Sequence, residues 1–224
     1  MRLIHSGYGI DIEVCENEVN ILCVEQKKSF AALTQEILDQ KNGKEGNVIL
    51  SEKDKILNIA KEVEIIINPF VLDCNEKRIQ QRLYQEVYEQ AVGNYLPETT
   101  DLNAKIISYL EKITLSVPYD IIFDLEENIQ GMLKIYGVRI EQQTSSLLEK
   151  IIEYLKILVR MCRIKIFIFV NLKTFLDPED LKKLYEFAFY EKMNIILIEN
   201  QVTEKINCEK VCILDQDMCI INYK

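Results

Sequence analysis

The stretch Lys165–Asn200, KIFIFVNLKTFLDPEDLKKLYEFAFYEKMNIILIEN, constrains the fold more than any other. Two short apolar runs, Ile164–Val170 and Ile195–Ile198, bracket a helical segment. Both are rich in β-branched and aromatic residues and apolar on both faces, the pattern of strands covered on two sides in a parallel sheet. Asp177-Pro178-Glu179-Asp180 between them is a helix start. Asp177 can cap, Pro178 fits the first helical position, and two acids complement the positive end of the helix. The segment is therefore a β-α-β unit, and its crossover is expected to be right-handed.

The rest of the chain extends this unit at both ends. Glu18–Glu25 and Val63–Asn68 are further buried strands, and Gln26–Gln40 follows the first of them with helical spacing. Met1–Ile12 reads as two short strands about a turn, Val48–Leu50 as another strand, Lys53–Lys61 as a short helix or an irregular connection, and Val211–Tyr223 as a closing hairpin. From Asn75 to Val159 the pattern is mostly amphipathic helix: Glu76–Asn94, Asp101–Leu115 and a long helix Thr144–Arg163 with a broad apolar stripe. Ile121–Tyr136 is ambiguous, beginning like a strand and ending like a helix stopped by Gly137. The expected fold class is α/β: a parallel-sheet head of residues 1–74 and 160–224, carrying a mostly helical insertion at 75–159. Apolar residues are 48% of the chain, enough for a core. No apolar run nears the ~20 residues of a membrane span, and the first residues lack the apolar core of a signal peptide. Seven cysteines are scattered, with Cys23 and Cys212 inside apolar strand patterns, so they read as reduced core residues of a cytoplasmic protein.

Several chemistries are excluded by residue type. A phosphate loop would stand in the turn after Glu18–Glu25, where glycine backbone N–H groups wrap the phosphates. Here the turn is Glu25-Gln26-Lys27-Lys28-Ser29, without glycine. Asn171 ends the strand at Val170 where a nucleotide hydrolase places an Asp for magnesium, and it reads as a strand-end turn residue. His5 is the single histidine, which excludes a catalytic imidazole pair and most His-based zinc sites. Cys208 and Cys212 have no second ligand pair, and no GxSxG elbow is present.

Carboxylates remain. Asp120, Asp124, Glu126, Glu127 and Glu141 cluster around the ambiguous segment. By spacing they are either a solvated acidic helix start or a site for a cation such as calcium, which takes 6–8 oxygens and tolerates irregular geometry. The net charge of −9 argues against coating nucleic acid with the whole surface, yet leaves room for a local basic groove.

An ordered set of segments carries a family resemblance: acidic Tyr119–Asn128, LKIYGVRIE at Leu133–Glu141, Gln143-Thr144-Ser145, Arg163–Leu176 (RIKIFIFVNLKTFL), Asp177–Asp180, Asn194–Glu199 (NIILIE) and Cys212–Asp215 (CILD). In these the chain resembles the small adaptation protein of type II-A CRISPR systems. The resemblance implies a degenerate P-loop-ATPase-like head with a helical leg, and a calcium-bound homotetrameric ring that encircles double-stranded DNA and prefers free ends. It further implies work beside the CRISPR integrase complex and the effector nuclease in spacer acquisition, without catalysis of its own. Glu141, with Asp120, Asp124 and Glu126, would then hold calcium. A sliding ring contacts phosphates rather than bases, and the candidate cations are Lys134, Arg139, Lys150, Lys156, Arg160 and Arg163. Lys156, Arg160 and Arg163 stand at i, i+4 and i+7, on one helical face; a plain solvated basic face is the other reading. Two further functions stay open: a metal-dependent nuclease using the Asp120–Glu127 acids, and an oligomeric scaffold without DNA.

Overall fold

The computed structural model describes residues 1–53, 55–126, 128–142 and 146–223. In chain order the elements are β1 (Arg2–His5), β2 (Ile10–Glu13), β3 (Val19–Val24), α1 (Lys27–Lys41), β4 (Val48–Glu52), β5 (Lys55–Ile56), α2 (Ile59–Glu62) and β6 (Val63–Ile66). They continue with α3 (Lys77–Val92), α4 (Leu96–Thr114), α5 (Ile129–Ile135), α6 (Leu147–Cys162), β7 (Ile166–Val170), α7 (Pro178–Tyr190), β8 (Asn194–Glu199), β9 (Glu209–Leu214) and β10 (Ile220–Tyr223). The chain packs as two units, Met1–Asp73 with Gln143–Lys224, and Cys74–Gln142.

The first unit is built on a six-stranded sheet of order β10-β9-β3-β8-β7-β6. β3 runs parallel to both β8 and β9, β7 runs parallel to β6 and β8, and only β10 at the edge is antiparallel. Every residue of β3 and β7 is buried; the unbroken apolar run of β7 requires it, and in β3 Asn20 goes inward with its apolar neighbours. The two-residue period of a strand divides them between faces. Leu22, Val24, Ile168 and Ile198 join Leu33 and Ile37 of α1 in one core. The opposite face holds the register row Glu64, Phe167 and Ile195, and there Tyr154 of α6 reaches Glu64. The expected α/β class, a parallel-sheet head carrying a helical insertion, is the architecture found. Sequence patterning did not separate out a second, antiparallel sheet, β2-β1-β4-β5. It buries Leu3, Ile10, Ile12, Val48 and Leu50 in the α1-side core while Arg2 and Asp11 pair on its outer face.

The boundary expected at 159/160 lies earlier, at 142/143. The reason is what α6 packs on. Ile151, Tyr154, Leu155 and Leu158 are buried, each contributing about 1.5–3 kcal/mol by leaving water. Lys150 Nζ donates to Phe70 O at 2.5 Å and Tyr154 OH to Glu64 Oε1 at 3.3 Å, both within the first unit. α6 opens with Ser146, whose hydroxyl accepts from Glu149 N while the Glu149 carboxylate accepts from Ser146 N. Gln143, Thr144 and Ser145, where sequence spacing starts this helix, lie outside the described residues.

In the second unit Tyr84, Ile129 and Leu133 are buried together against Leu83, Val87 and Val138. The ambiguous Ile121–Tyr136 divides: no helix or strand forms over 121–126, and α5 begins after Asn128, whose Oδ1 accepts from Gly131 N at 2.7 Å. Gly137 ends it at φ +61°, a conformation glycine adopts without a Cβ penalty. Val138 N–H then returns to Leu133 O at 2.9 Å. α4 starts at Leu96 with Pro97 in its first turn, five residues before the expected Asp101.

Candidate functional site

In doubly wound sheets ligands bind at the carboxyl ends of strands where the chain order reverses. Here that point is the turn from β3 into α1. Gln26 occupies the cap position without capping the helix through its side chain. Instead Gln26 Nε2 donates to Gln216 O at 3.4 Å, while the buried Ser29 hydroxyl donates to Gln26 Oε1 at 2.5 Å and lies 3.3 Å from Met218 S. Side chains and the β9–β10 turn thus stand where a phosphate loop would wrap its ligand. Lys27 and Lys28 point outward, exposed. Asn171 is likewise committed: at φ +54° its N–H donates to Ile198 O at 2.9 Å and its Oδ1 accepts from Asn200 N at 3.1 Å. His5 is buried, with Nδ1 accepting from Tyr8 N at 3.2 Å and Nε2 2.9 Å from Glu36 Oε2. It ties β1 to α1, and its geometry is that of a core residue.

The predicted acids are all in the second unit and all exposed: Asp120, Asp124 and Glu126 in the irregular segment after α4, and Glu141 after α5. Asn103 Nδ2 holds that segment to α4 through Leu125 O at 3.4 Å. Asn75 fixes the backbone before Glu141 by a reciprocal pair with Ile140, at 2.9 and 2.8 Å. Among the described residues no three His, Cys, Asp or Glu side chains stand together as metal ligands; Glu127 lies outside them. Their oxygens are the hard donors calcium takes, but one chain does not gather them into a site.

The predicted cations divide between the units. Lys134 and Arg139 are exposed in the second. Lys150 is engaged with Phe70 O. Lys156 and Arg160 on α6 and Arg163 at its C-cap are all exposed in the first. Seven residues along a helix span about 10 Å. Lys156 Nζ sits 5.3 Å over the Phe187 ring, which anchors its stem and leaves the charge at the surface.

One polar cluster escaped sequence reasoning. Lys173 Nζ lies 2.9 Å from Glu209 Oε2, with the two side chains 4% and 0% exposed. Tyr185 OH donates to Glu209 Oε1 at 2.8 Å, Ile206 N to Glu209 Oε2 at 2.8 Å, and Lys173 Nζ also to Glu204 O at 2.9 Å. Lys173 N donates to Glu199 Oε1 at 3.1 Å. Burial pushes the Glu199 carboxyl up to about 7, against the pull of the Leu172 and Lys173 N–H groups and the Lys173 charge. The cluster pins the 200–208 connection beside α7. Its only trace in the sequence is an acid at the boundary of each of two apolar strands.

No described helix is long and apolar enough to cross a membrane. Comparison with known proteins places the chain. The family model for the CRISPR-associated protein Csn2 matches residues 40–218. The Csn2 protein of Enterococcus faecalis is 21% identical over 91% of this chain and 92% of its own length. That of Streptococcus agalactiae is 22% identical over 85% and 86%. A solved chain described as an ABC-transporter ATP-binding protein from Pyrococcus furiosus covers 91% of this chain and 88% of that one. Its TM-score is 0.39 at 10% identity, too distant to carry an argument. The match over residues 40–218 takes in α6, the β-α-β unit and the whole helical unit, and the chain belongs to the Csn2 family of CRISPR-associated proteins.

Proposed function

We propose that this protein is a non-catalytic, sequence-independent binder of double-stranded DNA ends. It works as a calcium-stabilised homotetrameric ring in spacer acquisition, beside the CRISPR integrase complex and the effector nuclease. Membership of a CRISPR-associated family supports the setting. The observation that carries the DNA reading is the group of exposed cations Lys156 and Arg160 on α6 with Arg163 at its C-cap, in a chain of net charge −9. Cations this close together on one surface are what contact with successive phosphates needs. A concentrated basic row on an acidic protein confines DNA to one face. The engaged β3–α1 turn supports the absence of nucleotide hydrolysis. Calcium belongs to the assembled ring in this reading, with Glu141, Asp120, Asp124 and Glu126 as donors, since a single chain leaves them apart.

The test is binding of linear and closed-circular duplex across a salt series, with calcium present. Linear DNA should be bound with a steep salt slope, close to −0.9 per phosphate engaged, and circles should not. Replacing Lys156, Arg160 and Arg163 together by Ala should flatten the slope and weaken binding equally for every sequence. Equal binding of circles and linear duplex at low salt refutes end loading. An unchanged slope in the triple variant refutes this face.

A further inference from the structure

β2 is an edge strand: in the small sheet it pairs with β1 and with no other strand among the described residues. Met1 N donates to Val14 O at 3.0 Å and Val14 N to Met1 O at 2.8 Å. An antiparallel ladder alternates, so Ile12 and Ile10 also turn their N–H and C=O groups to β1, and those of Asp11 and Glu13 point the other way. Along that open side runs a cleft of about 420 Å³, within the range of ligand pockets. Residues 11–13 of β2 and 210–212 of β9 form its walls, and Asn20 of β3 joins them in lining it. Asn20 is 1% exposed, and neither its Oδ1 nor its Nδ2 has a hydrogen-bond partner. A buried amide left so costs stability in the chain alone, and a polar occupant of the cleft would remove that cost. The rim is charged. Asp11 is held by Arg2 and Lys210 by Glu18, which leaves the Glu13 carboxylate without an ion pair among the described residues.

We infer that the cleft takes an extended peptide segment of a partner protein, added antiparallel to the open edge of β2 and reading basic–amide–basic. The backbone groups of Asp11 and Glu13 give the segment its ladder, the contact by which exposed edges take up strands. Residues of the segment opposite Asp11 and Glu13 stand on the side of those two carboxylates, where Lys or Arg is matched and an acid is repelled. The residue between them lies opposite Ile12, whose side chain goes into the core, so its own side chain points inward, toward Asn20. A Gln or Asn there supplies the donor and the acceptor that the Asn20 amide lacks. Lys210, the register neighbour of Asn20 on β9, is 49% exposed and can swing aside to admit it. Lys156, Arg160 and Arg163, which carry the DNA reading, take no part in this cleft.

The test is fluorescence anisotropy with the full chain and three labelled peptides, Val-Lys-Gln-Lys-Val, Val-Lys-Leu-Lys-Val and Val-Glu-Gln-Glu-Val. The first should bind about 10-fold more tightly than either of the others. Asn20→Leu, a change of nearly equal size, should reverse the choice between the Gln and Leu peptides. It should also raise the urea midpoint, since it removes an unpartnered buried amide. Equal affinity of the parent for the Gln and Leu peptides, or an unchanged preference in the variant, overturns the role of Asn20. Equal affinity for the Lys and Glu peptides overturns the basic partner, and no binding of any peptide at about 1 mM overturns the site. A lowered urea midpoint for Asn20→Leu shows the amide already satisfied in the chain alone and overturns the site as well. Slow hydrogen exchange at the Asp11 and Glu13 N–H groups without peptide, lost on dilution, assigns the edge to a second copy and overturns the peptide.

Discussion

Glu209→Ala gives the sharpest test of the polar cluster behind α7. The substitution leaves the Lys173 ammonium, with its side chain 4% exposed, facing a void where a carboxylate 2.9 Å away had balanced it. It also strips an acceptor from Tyr185 OH and from Ile206 N–H. Glu204 O remains as a partner for the ammonium, a neutral dipole in place of a charge. Removing one member of a buried ion pair costs about 3–5 kcal/mol, because the other charge stays uncompensated. The hydrogen-bond losses fall on the same groups and are not added separately. About 4 kcal/mol in a domain of this size lowers the melting temperature by about 8–16 °C, readable by circular dichroism. The control is Lys173→Met with Glu209→Leu, which removes both charges. Its loss should fall short of the sum of the single losses by at least about 2 kcal/mol, the coupling of a contacting pair. A loss below about 1 kcal/mol for Glu209→Ala, or an additive double variant, would refute the view that the pair is held as a buried charge couple.

Glu199 titrates in the opposite sense from most acids. Burial raises its folded value from 4.5 to about 7, so the folded chain holds a proton that the unfolded chain releases. Stability is full below pH 4.5 and is lost as pH rises through about 7, by about 3 kcal/mol at 1.36 kcal/mol per pH unit. Glu199→Gln keeps an oxygen for the Lys173 N–H and should flatten the pH dependence of urea midpoints between pH 5 and 7; a profile parallel to the parent's would show that Glu199 is ionised throughout. Gly137→Ala places a Cβ on backbone at φ +61° with open space around it. It should cost about 1–2 kcal/mol from conformation alone, seen as a lower urea midpoint for the second unit with unchanged helix content.

What the sequence disclosed follows from what a one-dimensional pattern can hold. The β-α-β unit was legible because strands covered on both sides carry no polar interruption, and because Asp177 caps α7 through Glu179 N and Asp180 N, both at 2.9 Å. The small antiparallel sheet was hidden. β5 has two residues, both exposed, and β4 alternates over too short a span to name its partner. The apolar stripe of α6 was plain, but a stripe gives the width of a buried face and not its neighbour, so the helix was assigned to the wrong unit. The same limit governs the candidate site. Helical spacing set Lys156 and Arg160 on α6, both exposed, but could not see that the helix stops at Cys162 and that Arg163, at φ +58°, leaves its register. Spacing between acids in an irregular segment says nothing about convergence, and Asp120, Asp124, Glu126 and Glu141 do not converge in one chain. Lys173, Glu199 and Glu209 were invisible because their partners lie 26 to 36 residues apart.

The strand order carries a consequence for how the chain comes off the ribosome. β3 is complete at Val24, yet both of its neighbours, β8 and β9, lie beyond residue 193. β6 is complete at Ile66, and its one partner strand, β7, begins at Ile166. At about 5–20 residues per second, β3, a fully buried strand, waits on the order of ten seconds or more for its ladder to close. Meanwhile the helical unit, continuous from Cys74 to Gln142, can fold on local contacts. Nascent chains halted before residue 166 should therefore hold their helical segment protected from protease while β3 stays bound to a chaperone, and release should coincide with synthesis of β8.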